Sequence, residues 1–380
     1  MRPSCCAPSR LGIVYARLAA RLTLAAGAGF LLFMLTCAGG LAAAAWGFYQ
    51  GWEAGAPQTR AAWWLGALAA LFGVRHVLGL SLLPVPGPRG IPLSHEAAGA
   101  LRYRIDEVGR RLSVPPLDGV WITDEMNAAV LQRFSRGRIE THMMIGLPLA
   151  HCLSRRQFLA VLAHEFGHLV TQRQGFGARG ACLRAWWLRV AEGVATRHPA
   201  LAPWLDRRFR RYTLGMLRLS RLEEFEADAV AARLVGRRLL GEALIEVSEK
   251  DRFLREDYWP KVLAQCESAP EPCIRPYRDM GLGVAAGFHA HSVLHAGFCG
   301  SEAEDAGALH PTPADRLRAL RVPTGEAVPP ERSAAVHYLS ALLPQLSWAF
   351  DRHWWNFAGR SWRRAYRQAR HALAADDEPK

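Results

Sequence analysis

Two long apolar stretches lie in the first quarter of the chain. Residues 22–49 are almost wholly apolar and carry no charge, while residues 61–83 are apolar apart from Arg75 and His76 near their middle. The first stretch exceeds the roughly 20 residues that a helix needs to cross a bilayer. A central arginine costs about 2.5–3.5 kcal/mol on insertion scales. We predict transmembrane helices at 22–49 and 61–83, with an interfacial helix as the alternative for the second.

After these stretches the pattern changes to that of a folded domain. Proline and glycine dominate the stretch that follows, which marks a boundary. Apolar residues then recur at helical spacing over 94–112, strand-like runs follow at 120–123 and 138–145, and another apolar helix comes next. This order predicts an α+β domain. The predicted division is a basic tail at 1–21, a membrane region at 22–83, a linker at 84–93, a domain at 94–325 and a Trp/Arg-rich helical region at 326–380.

The helix that follows the second strand is predicted to run from Ser154 to about Gln174. Ser154, with Gln157 three residues later, has the pattern of a capping box. Apolar residues between them and Val170 form one continuous face. The helix also contains the pattern H-E-x-x-H at residues 164–168. This pattern is typical of zinc peptidases, and the alternative is a chance match on an ordinary core helix.

The chemistry of the motif depends on helical spacing. His164 and His168 are four residues apart, so both imidazoles can point at the same spot. Two imidazoles in that arrangement suit a Zn²⁺ ion. Glu165 can reach a water at the metal without ligating the metal, which is the position of a general base. We therefore predict His164 and His168 as metal ligands and Glu165 as a catalytic residue.

A catalytic zinc site needs a third protein ligand and one open position. One class of zinc peptidases has a histidine where this chain has Gln174, so that class is excluded. A later acidic run at residues 221–228 offers carboxylates. Glu224 and Asp228 share a helical face, whereas Glu226 lies about 200° around the helix from Glu224. We predict Glu224 as the third ligand and Asp228 as the partner that orients a bound imidazole. The alternative is a solvated acidic helix face.

These motifs resemble those of the HtpX-type membrane zinc metallopeptidases, which are relatives of the CAAX prenyl endopeptidases. The resemblance spans roughly residues 95–320 and includes Asn127-Ala128 and His310-Pro311 followed by Asp315-Arg316-Leu317. It implies a mostly helical, zincin-like α+β domain with a small sheet, preceded by transmembrane helices. It implies one Zn²⁺ per chain with Glu224 as third ligand. It also implies that His310 lies near the metal, where it steadies an oxyanion.

The resemblance carries two further implications. In the family, the strand corresponding to 138–143 is the edge of the site, where a peptide substrate adds by main-chain hydrogen bonds. The best-known members have four or more spans, whereas this chain has two predicted spans and none between its two zinc motifs. This departure argues against a prenylated substrate.

Charge and cysteine content limit which partners and which cellular compartment we predict. The net charge is +13 and nearly all basic residues are arginine. No arginine-rich run is expected to be interleaved with exposed aromatics, as a nucleic-acid groove would require, so no nucleic-acid partner is predicted. Four arginines precede the first span and one lies in the loop after it, which predicts a cytoplasmic amino terminus. Two spans then leave the domain on the cytoplasmic side of the cell (inner) membrane. The eight cysteines, which form no C-x-x-C pair, suit a reduced compartment.

The residues together predict a membrane-anchored zinc-dependent endopeptidase that hydrolyses peptide bonds in protein quality control or processing. Its partners would be a polypeptide substrate and the lipid bilayer. The alternative is a non-catalytic membrane scaffold that binds zinc. Glu165 argues against the scaffold, because a scaffold needs no carboxylate that activates water. His289, His291 and His295 are interpreted as surface or packing histidines.

Overall fold

The computed structural model describes residues 10–81, 87–174, 176–295, 310–322 and 332–376. Side chains are described throughout these ranges except at 81, 288–295 and 372–376, so His289, His291 and His295 lie outside the described side chains. The elements in chain order are α1 (Arg10–Glu53), α2 (Pro57–Ser81), β1 (Ile91–Pro92), α3 (Gly99–Arg111), β2 (Gly119–Thr123), β3 (Ala128–Ser135), β4 (Arg138–Gly146), α4 (Leu147–Cys152), α5 (Arg155–Gln172), α6 (Gly177–Arg197), α7 (Ala202–Val235), α8 (Arg237–Phe253), α9 (Trp259–Ala264), α10 (Met280–His295), α11 (Pro313–Leu320), α12 (Ala334–Tyr338) and α13 (Leu343–Asp376).

Most described residues are helical, and the sheet is small. This confirms the predicted α+β class with a mainly helical domain. Contacts divide the chain into two units. The first unit comprises Met1–Gly87, Arg133–Ile139 and Thr171–Glu223, and the second comprises Pro88–Gln132, Glu140–Val170 and Glu224–Lys380.

The first unit contains the α1–α2 hairpin. Both helices are long and apolar enough to cross a membrane, by length and composition. Their facing surfaces hold small residues, since a Cβ added at Gly47 would meet the Cβ of Ala67 at 3.1 Å. Small residues let two helices approach closely inside a bilayer. α1 is longer than the predicted span, and its first half packs on α6 and α7 through a buried cluster that includes Tyr15 and Tyr212.

The sheet belongs mainly to the second unit and has the strand order β1-β2-β4-β3. β2 pairs in parallel with β4, in a register that places Val120 beside Met143 and Ile122 beside Ile145. These four side chains are almost completely buried, so one face of the sheet forms part of the core. Strands were predicted at 120–123 and 138–145, and both are confirmed. β3 was not predicted.

The strand order corrects one expectation about the sheet. β4 lies between β2 and β3, and its residues 142–146 are paired with β2, so this half of the strand is not an edge to which a peptide could add. The amide of Thr141 is also engaged, because it donates to Oδ2 of Asp118 at 2.7 Å. In the described part of the chain, the end strand next to β4 is β3.

Two helix boundaries follow from the local sequence. α7 ends at Val235, and Gly236 follows with a φ of 92°. A side chain is strained in that conformation, whereas glycine adopts it readily. The predicted start of α5 is confirmed, because Ser154 immediately precedes its first residue.

Candidate active site

The helix that carries the H-E-x-x-H pattern is fixed at its start by a capping box. The amide of Ser154 donates to Oε1 of Gln157 at 3.0 Å, and the amide of Gln157 donates to the Ser154 hydroxyl at 3.3 Å. These bonds satisfy two donors that a helix end leaves unpaired. Phe158, Leu162 and Phe166 then hold the helix in the core, each at most 1% exposed. The capped and buried helix thus presents His164 and His168 from a rigid element.

A close crossing of α5 and α7 brings the two motifs together. A Cβ added at Gly167 would lie 2.7 Å from the carbonyl oxygen of Ala227 and 2.9 Å from its Cα. Real Cβ atoms do not approach backbone so closely, so glycine is required at this crossing. Ala227 is fully buried on the other side of the contact. The small residue inside each motif therefore lets the histidines of α5 meet the carboxylates of α7.

Three side chains from these helices converge on one point. Nε2 of His164 lies 3.2 Å from Nε2 of His168 and 3.3 Å from Oε2 of Glu224. Nε2 of His168 lies 3.7 Å from Oε1 of Glu224. Ligand atoms around a tetrahedral zinc with bonds of roughly 2.0–2.1 Å are about 3.3–3.4 Å apart. The spacing of the three side chains therefore fits a metal ion at their centre.

Glu165 lies beside this point. Its carboxylate belongs with His164 and His168 to a cluster whose possible ligand atoms all lie within 4.8 Å of one another. The side chain is buried, and burial raises the pKa of its carboxyl above the ordinary value. A buried carboxylate with a raised pKa is suited to take up a proton and release it again.

A second layer of contacts orients the first histidine. Nδ1 of His164 lies 2.9 Å from Oδ1 of Asp228. Arg316 holds Asp228 through two bonds, one from Nε to Oδ2 at 2.8 Å and one from Nη2 to Oδ1 at 2.6 Å. Its Nη1 also lies 3.3 Å from Oε2 of Glu224. One guanidinium therefore links Glu224, the predicted third ligand, to the carboxylate behind the first histidine.

The short helix α11 positions Arg316. Thr312 caps this helix, because its hydroxyl accepts from the amide of Asp315 at 3.2 Å, and Pro313 occupies the first turn. Leu317 anchors the helix in the core with 3% exposure. Just before the cap, Nδ1 of His310 lies 2.8 Å from Oε1 of Glu224, while 68% of the His310 side chain is exposed. His310 thus reaches the site from its open side.

Electrostatics of the site favour a cation. Burial and the charge of Arg316 lower the pKa of His164, but hydrogen bonds to Asp228 and Glu224 outweigh them and raise it to about 9. Burial favours the neutral form of Glu224, yet bonds from His164 and His310 hold its pKa below the ordinary value. The pKa of Asp228 is lowered in the same way by Arg316 and His164.

The balance of charges at the site also favours a bound cation. Glu165, Glu224 and Asp228 contribute three carboxylates, and Arg316 contributes one guanidinium. If all four are ionised and the histidines are neutral, as metal ligation requires, two negative charges remain in a largely buried region. Burying unpaired charge is costly, and a divalent cation bound by the neutral histidines would neutralise both charges. Donor types, spacing and charge therefore all fit Zn²⁺.

The structure brings together all six residues that the sequence singled out, namely His164, Glu165, His168, Glu224, Asp228 and His310. Sequence reasoning assigned no role to Arg316, although it was noted within the Asp315-Arg316-Leu317 motif. The available signal was its position six residues after His310 in that motif. The start of α11 between them brings both side chains to the site. Glu223 does not belong to this group of residues. Its Oε1 accepts from Nε2 of Gln172 at 2.7 Å.

A helical domain with a small sheet, an H-E-x-x-H helix and a crossing E-x-x-x-D helix is an arrangement typical of zinc-type peptidases. Residues 98–324, more than half of the chain, match Peptidase family M48. The chain belongs to this family, and it is therefore a peptidase. Neither the curated proteins nor the solved structures returned a match.

Proposed function

We propose that the protein is a membrane-anchored, zinc-dependent endopeptidase. The observation that carries the proposal is the convergence of His164, His168 and Glu224 at tetrahedral spacing. These three side chains would hold the ion and leave its fourth position open for water or substrate. Asp228 would fix the ring of His164, and Arg316 would hold Asp228 and Glu224 in register.

The chain's own residues account for the proton transfers. Zinc, when bound, supplies a Lewis acid that polarises the scissile carbonyl and acidifies a water. Glu165 takes one proton from the attacking water as the water oxygen bonds to the carbonyl carbon. Glu165 then delivers that proton to the amide nitrogen as the carbon–nitrogen bond breaks. One peptide bond and one water are consumed, and a carboxyl group and an amine result.

Membrane anchoring is supported by the surface of the first unit. The exposed side chains of Leu31, Leu32 and Leu35 on α1 are each at least 60% accessible. Large aromatic residues gather near the turn between α1 and α2, among them Trp52, which is 78% exposed. Tryptophan at such a position is typical of a membrane–water interface. The hairpin would therefore cross the bilayer twice, with its turn at one interface.

Two variants of the purified full-length chain test the function. Glu165→Gln should keep about one zinc per chain and lose cleavage of an unfolded polypeptide by about 10²–10⁴-fold, because only the proton carrier is removed. Glu224→Gln should lose both zinc and cleavage, because a ligand is removed. Metal analysis and the appearance of new peptide termini measure the two effects.

The exposed residue Glu256 offers a matched control, since Glu256→Gln makes the same change on the surface of the second unit. It should retain both zinc and activity. Full cleavage by Glu165→Gln would overturn the mechanism. A wild-type chain that binds zinc but releases no new termini from any polypeptide would favour the scaffold alternative.

A further inference from the structure

The last helix, α13, carries a concentration of positive charge. Between Arg352 and Ala375 the sequence contains six arginines and neither aspartate nor glutamate. The arginines are exposed and lie at positions 352, 360, 363, 364, 367 and 370. From the first to the last, they extend over about 27 Å of helix. Asp376 and the acidic residues after it come beyond this segment.

The opposite face of α13 packs on the domain, so the helix cannot rotate to hide its charges. Trp362 is 3% exposed and donates its indole N–H to the carbonyl of Ala269 at 3.0 Å. Its ring also makes edge contacts with Trp354 and Trp355 at centroid distances of 5.9 Å. Closer to the start of the helix, Phe350 is buried in the main core. The arginine face is therefore fixed outward.

Several exposed arginines elsewhere in the second unit have acidic partners. Arg111 pairs with Glu107 at 2.6 Å, Arg238 pairs with Glu242 at 2.8 Å, and Arg255 pairs with Asp251 at 3.2 Å. Among the described residues, no ion pair is found for the arginines of α13. Like charges three or four residues apart destabilise a helix. The arrangement thus carries a cost that an external anion would offset.

The middle of this face borders a groove with room for such an anion. A cavity of about 540 Å³ is lined by Pro270, Arg360, Arg363, Arg364, Tyr366 and Arg367. Four guanidiniums at spacings of three, four and seven residues thus surround one opening. Guanidinium binds phosphate oxygens with paired hydrogen bonds, which ammonium cannot match geometrically.

Exposed aromatic side chains flank the same face, which corrects the expectation that no arginine-rich run lies among exposed aromatics. Trp348 is 62% exposed and Phe357 is 74% exposed. The guanidinium of Arg352 lies over the ring of Trp348 at 5.2 Å from its centroid. Arginine beside exposed tryptophan is a combination that suits the headgroup layer of a membrane, where charge meets phosphate and the ring meets the apolar boundary.

We propose that the arginine face of α13, centred on Arg360, Arg363, Arg364 and Arg367, docks on the phosphate headgroups of an anionic lipid bilayer. The partner is identified by charge complementarity and by the two apolar helices that hold the chain at a bilayer, and in this respect the inference rests on the proposed membrane anchoring. Basic residues near an anionic surface each strengthen binding, so a row of them acts cumulatively. Such docking would hold the peptidase domain against the membrane surface.

The proposal is tested with full-length protein in nanodiscs of neutral phosphatidylcholine. The nanodisc holds the two apolar helices, so they cannot insert into added vesicles. These nanodiscs are mixed at about 0.15 M salt with sedimentable vesicles of phosphatidylcholine, with or without one quarter phosphatidylglycerol. Wild-type protein should sediment with the anionic vesicles and at least about tenfold less with the neutral ones. Replacing Arg360, Arg363, Arg364 and Arg367 together by Gln should lower sedimentation with the anionic vesicles by about the same factor.

A matched variant changes the net charge equally, with Arg104, Arg111, Arg238 and Arg255 replaced by Gln, and it should sediment like wild type. Equal sedimentation of wild type and the α13 variant would overturn the proposal. So would equal loss in both variants, which would indicate a net-charge effect. Tighter binding to double-stranded DNA than to anionic vesicles at the same salt would also overturn it. The α13 variant should cleave polypeptides at the wild-type rate in detergent, so failure of docking and failure of the proposed peptidase function are distinguishable.

Discussion

Nδ1 of His164 lies 2.9 Å from Oδ1 of Asp228, and Asp228 is one helical turn beyond Glu224 on α7. Both carboxylates of this turn therefore act on the same imidazole, one at each ring nitrogen. A carboxylate behind a ligating histidine fixes the ring and its tautomer, and it makes the other nitrogen a better ligand. The E-x-x-x-D spacing on α7 would thus supply the proposed ligand and its support from one rigid element.

Asp228→Asn should lower zinc affinity by about 10–100-fold, because the amide cannot replace the carboxylate behind His164 and removes the ion pair between Asp228 and Arg316. Competition with a fluorescent chelator measures the affinity, and circular dichroism checks the fold. Asp206→Asn is the control, since Asp206 is exposed on the same helix. Unchanged zinc affinity in Asp228→Asn would show that this contact does not support the metal.

Gly167→Ala should weaken zinc binding although residue 167 carries no ligand. Its new methyl group would meet the Ala227 carbonyl at 2.7 Å and push α5 and α7 apart. Displacing the histidines from Glu224 breaks the tetrahedral spacing on which the site depends. Zinc content after gel filtration is the measurement.

Gly109→Ala provides a fair comparison, because its added methyl group would meet only the ring of Phe166, at an ordinary 3.5 Å. That variant should keep its zinc. If Gly167→Ala also binds zinc with wild-type affinity, the close crossing is not what brings the two motifs together.

The variant His310→Ala distinguishes between two roles of His310 that are both compatible with its position. If His310 steadies the oxyanion, the variant should keep its zinc affinity and lose about 10²–10³-fold in kcat. If its bond to Glu224 at 2.8 Å orients that ligand, zinc affinity should fall by about 10–100-fold instead. We expect the first result, because the side chain reaches the site from its open face. Measured kcat and chelator competition decide between them, and no change in either would remove His310 from the site.

The peptidase domain should face the cytoplasm, because four arginines precede the first span and one follows it. Cys273 is exposed in the second unit and reports on this directly. A membrane-impermeant maleimide should label Cys273 only after the cells are permeabilised. Cys273→Ser provides the background signal. Labelling in intact cells would place the domain outside, and it would leave the zinc chemistry unaffected.

The sequence alone determined the parts of the site that lie within single helices. The i, i+4 spacing of His164 and His168, the capping box at Ser154 and the shared face of Glu224 and Asp228 are local consequences of helix geometry. They could be predicted because a helix has one period, whatever surrounds it. The apolar character of α1 and α2 could be predicted from composition alone, whereas the packed first half of α1, before the predicted span, could not.

Tertiary structure decided how these elements meet. No local pattern gives the order of strands in a sheet, so β4 was placed at an edge although it lies between β2 and β3. Likewise, nothing in the spacing of Arg316 shows that its guanidinium joins Asp228 and Glu224, because these residues are 88 and 92 positions apart in the chain. Contacts of that kind arise only from packing, here from the close crossing at Gly167 and the capped turn of α11. Local geometry therefore determined the residues that we propose as ligands, and packing determined the charge and support around them.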